Sequence, residues 1–152
     1  MNLIEINDFY GEAFKACFRA DFLEIGIRLR EDTDVFEDIT ASYKNEQMRT
    51  LAIEDGGALA GFIMFQPEHL QGGFFEENAV FIRELWISPD YRRRGFGKLL
   101  IESVEERFKP QGAGKLLLTY QENALGFYEK LGFRPADTYK AKNNHRVIAK
   151  TF

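Results

Sequence analysis

The stretch from Val80 to Gly97 constrains this chain more than any other. An apolar, β-branched and aromatic run, Val80-Phe81-Ile82-Arg83-Glu84-Leu85-Trp86-Ile87, stops at Ser88-Pro89, a short polar turn follows, and Gly95 and Gly97 open a segment with helical spacing. It reads as strand, anion-binding loop, helix. Without a Cβ, Gly95 and Gly97 let the chain take positive φ, so that several backbone N–H groups can converge on one point. The following helix brings N–H groups without intrahelical acceptors and the positive end of its dipole to the same place. Arg92, Arg93, Arg94 and Lys98 surround the loop and only Asp90 opposes them, so a guest with several negative charges, such as a pyrophosphate, fits. A solvated basic turn that happens to hold two glycines would carry the same residues.

The pattern Arg92-x-x-Gly95-x-Gly97, following Leu85-Trp86-Ile87-Ser88-Pro89, resembles the acyl-CoA signature of the GNAT superfamily of N-acyltransferases, (Gln/Arg)-x-x-Gly-x-(Gly/Ala). A second stretch, Asn123-Ala124-Leu125-Gly126-Phe127-Tyr128-Glu129-Lys130-Leu131-Gly132-Phe133, looks like that family's later motif, an Asn followed by a Phe-Tyr pair and Gly-Phe. The two stand in the family's order and separation, and the resemblance runs from Leu51 to the C-terminus. One departure is Arg93, where the family often has Gly; both small positions of the signature are kept.

The resemblance implies an α/β fold, a mixed and mostly antiparallel central sheet flanked by helices and splayed at its central strands. It implies acetyl-CoA as cosubstrate, with its pantetheine arm paired to the backbone of Leu85, Trp86 and Ile87. Backbone N–H groups of Arg93, Arg94, Gly95, Phe96, Gly97 and Lys98 would hold the pyrophosphate. Asn123 would hydrogen-bond the cofactor arm, and Tyr128 would serve the leaving sulfur. The activity implied is acetyl transfer to an amine by direct attack in a ternary complex. A non-catalytic acyl-CoA-binding sensor or interaction module on the same fold is the alternative, and it would need neither Tyr128 nor a base.

The 152 residues suit one domain over 1–152, and 45% apolar and 14% aromatic content exclude disorder. Cys17 is the single cysteine and His69 and His145 stand far apart, so neither an internal disulfide nor a metal site is expected. No basic n-region with a long apolar core opens the chain and no apolar stretch nears 18 residues, which points to a cytoplasmic protein off the membrane. Residues 1–55 hold 13 acids against 6 bases, and residues 56–152 hold 11 against 14. That asymmetry suits an anionic cofactor in one half and a cationic acceptor in the other, or merely solubility. No extended basic surface interleaved with aromatics accompanies the Arg triplet, which argues against nucleic acid as principal partner.

Along the chain, Leu3–Ile6 reads as a strand and residues 9–22 as an amphipathic helix, with Asn7 or Asp8 at its cap. Thr33 or Asp34 can cap a second helix through Val35, Phe36, Ile39 and Tyr43. Arg49–Asp55 and Ala58–Gln66 form a hairpin across Gly56-Gly57, and Pro67–Asn78 is a loop whose Phe74 and Phe75 line an acceptor entrance or fold onto the core. A helix runs over 97–108, Lys115–Tyr120 is a buried strand, a short helix spans 124–131 with Gly132 as its stop, and a closing hairpin turns at Asn143-Asn144. The strand-rich end from Arg146 to Phe152 can pair across a homodimer.

An alkylamine has a pKa of about 10.4 and arrives protonated, so transfer needs a base. Strand alternation sets Ile82, Glu84 and Trp86 on one face, near the thioester position the resemblance implies, and makes Glu84 the candidate. Glu84 can equally pair with a cation such as Arg83; Glu122, Glu76 and Glu24 are weaker alternatives. Tyr128 shares a helix face with Ala124 and Leu131, as an ordinary core tyrosine would. Asn123 can also act as a plain N-cap, and Lys130 can reach a phosphate or remain solvated. Cys17 lies on the apolar stripe of the first helix, which is a poor place for a nucleophile. The acceptor, a small cationic amine or a peptide amine, stays open.

Overall fold

Leu51-Ala52-Ile53 and the run from Ala60 to Phe65 are apolar without alternation, the pattern of strands covered on both faces. Both runs lie in buried strands of the computed structural model, which describes residues 1–29, 34–67, 79–120, 124–136 and 146–152. In chain order the elements are β1 (Asn2–Ile6), α1 (Glu12–Glu24), α2 (Val35–Asn45), β2 (Arg49–Asp55), β3 (Ala58–Pro67), β4 (Ala79–Ile87), α3 (Phe96–Phe108), β5 (Lys115–Thr119), α4 (Leu125–Lys130), β6 (Arg134–Pro135) and β7 (Val147–Thr151). Short 3₁₀ turns occupy Pro89–Tyr91 and Lys109–Gln111.

The strands form a seven-stranded sheet in the order β1-β2-β3-β4-β5-β7-β6. Pairing is antiparallel for β1 with β2, β5 with β7 and β6 with β7, and parallel for β4 with β5. This is the mixed, mostly antiparallel sheet with flanking helices that the sequence led us to expect. Gly56 and Gly57 turn the β2–β3 hairpin with φ of 61° and 86°, the double positive φ of a type I′ turn. The parallel ladder matches Ala79, Val80 and Phe81 with Lys115, Leu116 and Leu117 and stops there, although β4 runs on to Ile87 and β5 to Thr119.

Two compact units interleave along the chain, residues 1–64 with 84–100, and residues 65–83 with 101–152. β3, β4 and α3 each begin in one unit and end in the other.

In the first unit, the stripe Phe14, Cys17 and Phe18 of α1 packs with Phe9, with Phe36 and Ile39 of α2, and with Met48, Ala52, Phe62 and Met64. Phe14 meets Phe9, Phe36 and Phe62 edge to face at 5.3, 6.2 and 5.8 Å between ring centroids, an arrangement aromatic quadrupoles favour. Asp34 caps α2, its carboxylate accepting from Glu37 N at 2.8 Å. The cap expected for α1 is a correction: the N-cap is Gly11, without a side-chain bond, and the helix runs Glu12–Glu24. Asp8 Oδ1 instead accepts from Tyr10 N at 3.0 Å, a local turn that delays helix entry.

In the second unit, Ala79, Leu117 and Val147 form a buried cluster with Phe81, Ala136 and Ala149 against it. Phe108 of α3 meets Phe65 edge to face at 5.7 Å, and Ile101 and Val104 are fully buried. Gly132 closes α4 with φ of 100°. β6 and β7 form the closing pair; its turn at Asn143-Asn144, and Phe74, Phe75 and Glu76 of the loop after β3, lie outside the described residues. Among the described residues no helix is long and apolar enough to cross a membrane.

Candidate functional site

β4 ends where Ser88 N donates to Ala60 O at 2.8 Å and Pro89 starts the 3₁₀ turn. From there the backbone alternates: Arg92 is extended (φ −72°, ψ 157°), Arg93 is left-handed (φ 63°), and Gly95 is left-handed again (φ 81°) before α3 begins. Alternation of this kind curls successive N–H groups around an anion-sized hollow. Leu99 N donates to Gly95 O at 3.0 Å, so Gly95 is the cap of α3 and the first-turn donors of that helix open onto the same loop. The expectation of positive φ at Gly97 is corrected. Gly97 is buried inside the first turn of α3, where the helix requires negative φ, and Arg93 takes the second left-handed position.

The loop is tied down by its aromatics. Phe96 is buried and stacks on Tyr91 at 6.1 Å, and the Tyr91 hydroxyl donates to Asp55 Oδ2 of β2 at 2.9 Å. The Arg94 guanidinium lies over the Tyr91 ring at 5.3 Å. Arg92 turns elsewhere. Its Nη2 donates to Glu24 Oε2 at 2.6 Å and its Nε to Ile87 O at 2.9 Å. Trp86 Nε1 donates to the same Glu24 oxygen at 2.6 Å. The expectation that only Asp90 opposes the basic cluster is therefore corrected, because Glu24, far away in sequence, neutralises Arg92. The Arg92 hydrogen bond holds the Glu24 carboxyl below the usual range although burial works against it.

Glu84 and Trp86 share a face of β4, as alternation requires, and both reach α1: Trp86 meets Glu24, and Glu84 meets Asp21. Asp21 is 4% exposed, and its Oδ2 is sealed from solvent with no hydrogen-bond donor among the described residues. Glu84 does not pair with Arg83, whose Nη1 donates to Gln66 Oε1 at 3.0 Å. Two facing carboxyls form a hydrogen bond only while one of them carries a proton. Burial raises the Glu84 carboxyl far above its usual range, and the Asp21 charge and hydrogen bond push it the same way. Burial raises Asp21 as well, with the Glu84 hydrogen bond pulling it back, Glu24 raising it and Arg92 lowering it. Asp21 escaped the sequence reading. The available signal was its place one turn after Cys17 on the stripe Phe14, Cys17, Phe18, an acid on an apolar face.

Leu85, Trp86 and Ile87 are half-buried, and Lys98 is exposed on the first turn of α3. In the second unit, Tyr128 is half-buried, with Phe127 at 5.2 Å and Phe133 at 5.7 Å between ring centroids. Its carbonyl accepts from Leu131 N and Phe133 N at 3.0 and 3.1 Å, which fixes the end of α4. Asn123 and Glu122 lie outside the described residues, and Ala124, which precedes α4, is already helical in φ and ψ. Lys130 is exposed. Burial, helped by the Asp21 charge, pushes the Cys17 thiol up to about 12, far from a reactive thiolate.

Residues 7–133 match the acetyltransferase (GNAT) family. The chain is similar to L-ornithine N5-acetyltransferase of Arabidopsis thaliana, 32% identical over 77 residues, 49% of this chain and 33% of that protein. It is also similar to glucosamine 6-phosphate N-acetyltransferase of Trypanosoma brucei brucei, 41% identical over 73 residues, 47% of each chain. The chain thus spans a third to a half of the length of these relatives. Among solved structures, a GNAT-family acetyltransferase of Staphylococcus aureus superposes with TM-score 0.74 at 21% identity, covering 99% of this chain and 98% of that one. The PaiA N-acetyltransferase of Thermoplasma acidophilum, solved in complex with coenzyme A, superposes with TM-score 0.64 at 18% identity over the whole of both chains.

Proposed function

The chain belongs to the GNAT family of acetyltransferases, and from that premise we propose that it moves an acetyl group from acetyl-CoA to a primary amine by direct attack in a ternary complex. The acceptor is a small cationic amine or a peptide amine. The carrying observation is the buried Asp21 against the half-buried Glu84, set in the same unit as the left-handed loop that leads into α3.

The loop residues fit the diphosphate of acetyl-CoA. Left-handed turns at Arg93 and Gly95 aim backbone donors at one hollow, Arg93 and Arg94 belong to that loop and Lys98 to the first turn of α3, and Arg92 is held by Glu24. The solved relative that carries coenzyme A on this fold supports the same cosubstrate here. Acetyl-CoA supplies an acyl group activated as a thioester. The backbone of Leu85, Trp86 and Ile87 positions its arm, with Asn123 as a further contact carried by the family resemblance.

Glu84 takes the proton of the incoming ammonium, leaving a neutral nucleophile. Tyr128 stabilises the departing sulfur. Full proton transfer from a phenol of pKa about 10 to a thiolate of pKa about 8.5 is uphill by about 2 kcal/mol, so hydrogen bonding is the first role of that hydroxyl. The named activities of the two curated relatives, on ornithine and glucosamine 6-phosphate, support an amine acceptor of small size. The acidic balance of residues 1–55 supports a cationic one.

The test is thiol release from acetyl-CoA across polyamines, amino acids, amino sugars and short peptides, run beside Tyr128→Phe and Glu84→Gln. A hit that falls at least tenfold in both variants is the expected result. Tight CoA binding with no release across the panel would support non-catalytic acyl-CoA binding instead.

A further inference from the structure

The catalytic reading uses Glu84 and leaves Asp21 unexplained. A carboxyl sealed inside the apolar stripe of α1, with an oxygen that no donor among the described residues reaches, is costly unless a ligand or a proton compensates it. The acid hydrogen-bonded to Asp21 is Glu84 of β4. The remaining titratable groups nearby, among the described residues, are Glu24 of α1, neutralised by Arg92 of the loop before α3, and Cys17 of α1, whose thiol stays protonated. No cation among them bonds Asp21.

Resting on the acetyl-transfer reading, we propose that Asp21 is the positioning residue of the amine site: Asp21 and Glu84 hold one proton between them in the resting protein, and an arriving alkylammonium displaces it. The proton balance closes. The resting pair carries one proton and one negative charge. Binding of the ammonium releases that proton to solvent and leaves two carboxylates around the cation. The ammonium then returns one proton to the pair, restoring the resting state, and its nitrogen forms the C–N bond as the C–S bond breaks. The second nitrogen proton ends on the thiol. One turnover thus yields amide, thiol and one solvent proton, with the pair unchanged. A paired seat also selects for a primary ammonium, which brings three donors to carboxyl oxygens that otherwise face each other.

The direct test is a ¹³C titration of side-chain carboxyls in the free protein, with Asp21→Asn and Glu84→Gln. Sharing predicts that both carboxyls respond in two linked steps, and that Asp21→Asn leaves Glu84 with a single step displaced downward by about one pH unit or more. Adding n-propylammonium at pH 7 should drive both resonances to their ionised positions, while tetramethylammonium, which has no N–H, should not. Independent single steps in the usual carboxylate range, or no response to saturating n-propylammonium, would overturn the proposal. In turnover, Asp21→Asn should shift the acid limb of kcat/KM to lower pH, whereas a purely structural role would lower kcat/KM equally at every pH. A linked titration without transfer to any amine would sink the acetyltransferase reading alone. Transfer indifferent to Asp21→Asn at all pH values would sink this one alone.

Discussion

Arg92 Nη2 sits 2.6 Å from Glu24 Oε2, so the first residue of the glycine loop is bonded to the last residue of α1. Both side chains are about two-fifths exposed, at 43% and 39%, and the pair by itself contributes under about 1 kcal/mol. Arg92 does more than pair, because its Nε also holds Ile87 O at the end of β4. Arg92→Ala should therefore cost more stability than Glu24→Gln in urea denaturation, and a double-mutant cycle should return a coupling of about 0.2–1 kcal/mol.

Gly61 of β3 has no room for a side chain. A Cβ there would lie 2.6 Å from Trp86 O and 2.6 Å from Ile87 Cδ1. The isoleucine tip can move, but the carbonyl belongs to β4. Gly61→Ala should destabilise the fold by about 1–3 kcal/mol, read as a lower denaturation midpoint with an unchanged slope.

The two left-handed positions of the loop should respond unequally to substitution. Gly95→Ala places a Cβ at φ 81° and should cost about 1–2 kcal/mol. Any relaxation would also move the backbone donors, so CoA affinity measured by calorimetry should fall about tenfold, equivalent to about 1.4 kcal/mol. Arg93→Gly relieves φ 63° while gaining unfolded-state entropy, and its stability should stay within about 0.5 kcal/mol of wild type.

Folding stability should fall as pH rises above the ordinary carboxylate range. Asp21 and Glu84 hold protons more tightly folded than unfolded, so between their unfolded and raised folded values the native state binds more protons, and raising pH favours unfolding. The contribution is complete below the unfolded values and is lost as pH climbs through the folded ones. Urea midpoints from pH 5 to 9 should show this slope in wild type and a flatter one in Asp21→Asn. A steeper slope in the variant would contradict the shared proton.

Local signals carried most of the fold. The hairpin at Gly56-Gly57, the cap at Asp34 and the stop at Gly132 are short-range backbone requirements written in residue type, and each was legible. The loop was legible in kind, yet its left-handed residues are Arg93 and Gly95 and not the two glycines, because α3 starts early enough to take Gly97 into its first turn. The contacts that define the site were not legible. Glu24 with Arg92 and Trp86, and Asp21 with Glu84, span more than 60 positions of chain, and nothing local to either partner names the other. Asp21 alone left a trace, as the acid that interrupts an aromatic stripe.

The interleaving of the two compact units bears on how this protein can be cut. Since β3, β4 and α3 each cross from one unit to the other, every candidate half consists of separate chain segments. No single break separates the two units: a cut after residue 64 keeps the second whole but splits the first, a cut after residue 100 keeps the first whole but splits the second, and a cut between them splits both. A graft that borrows only the glycine loop with its flanking strand takes pieces of both units and the whole of neither.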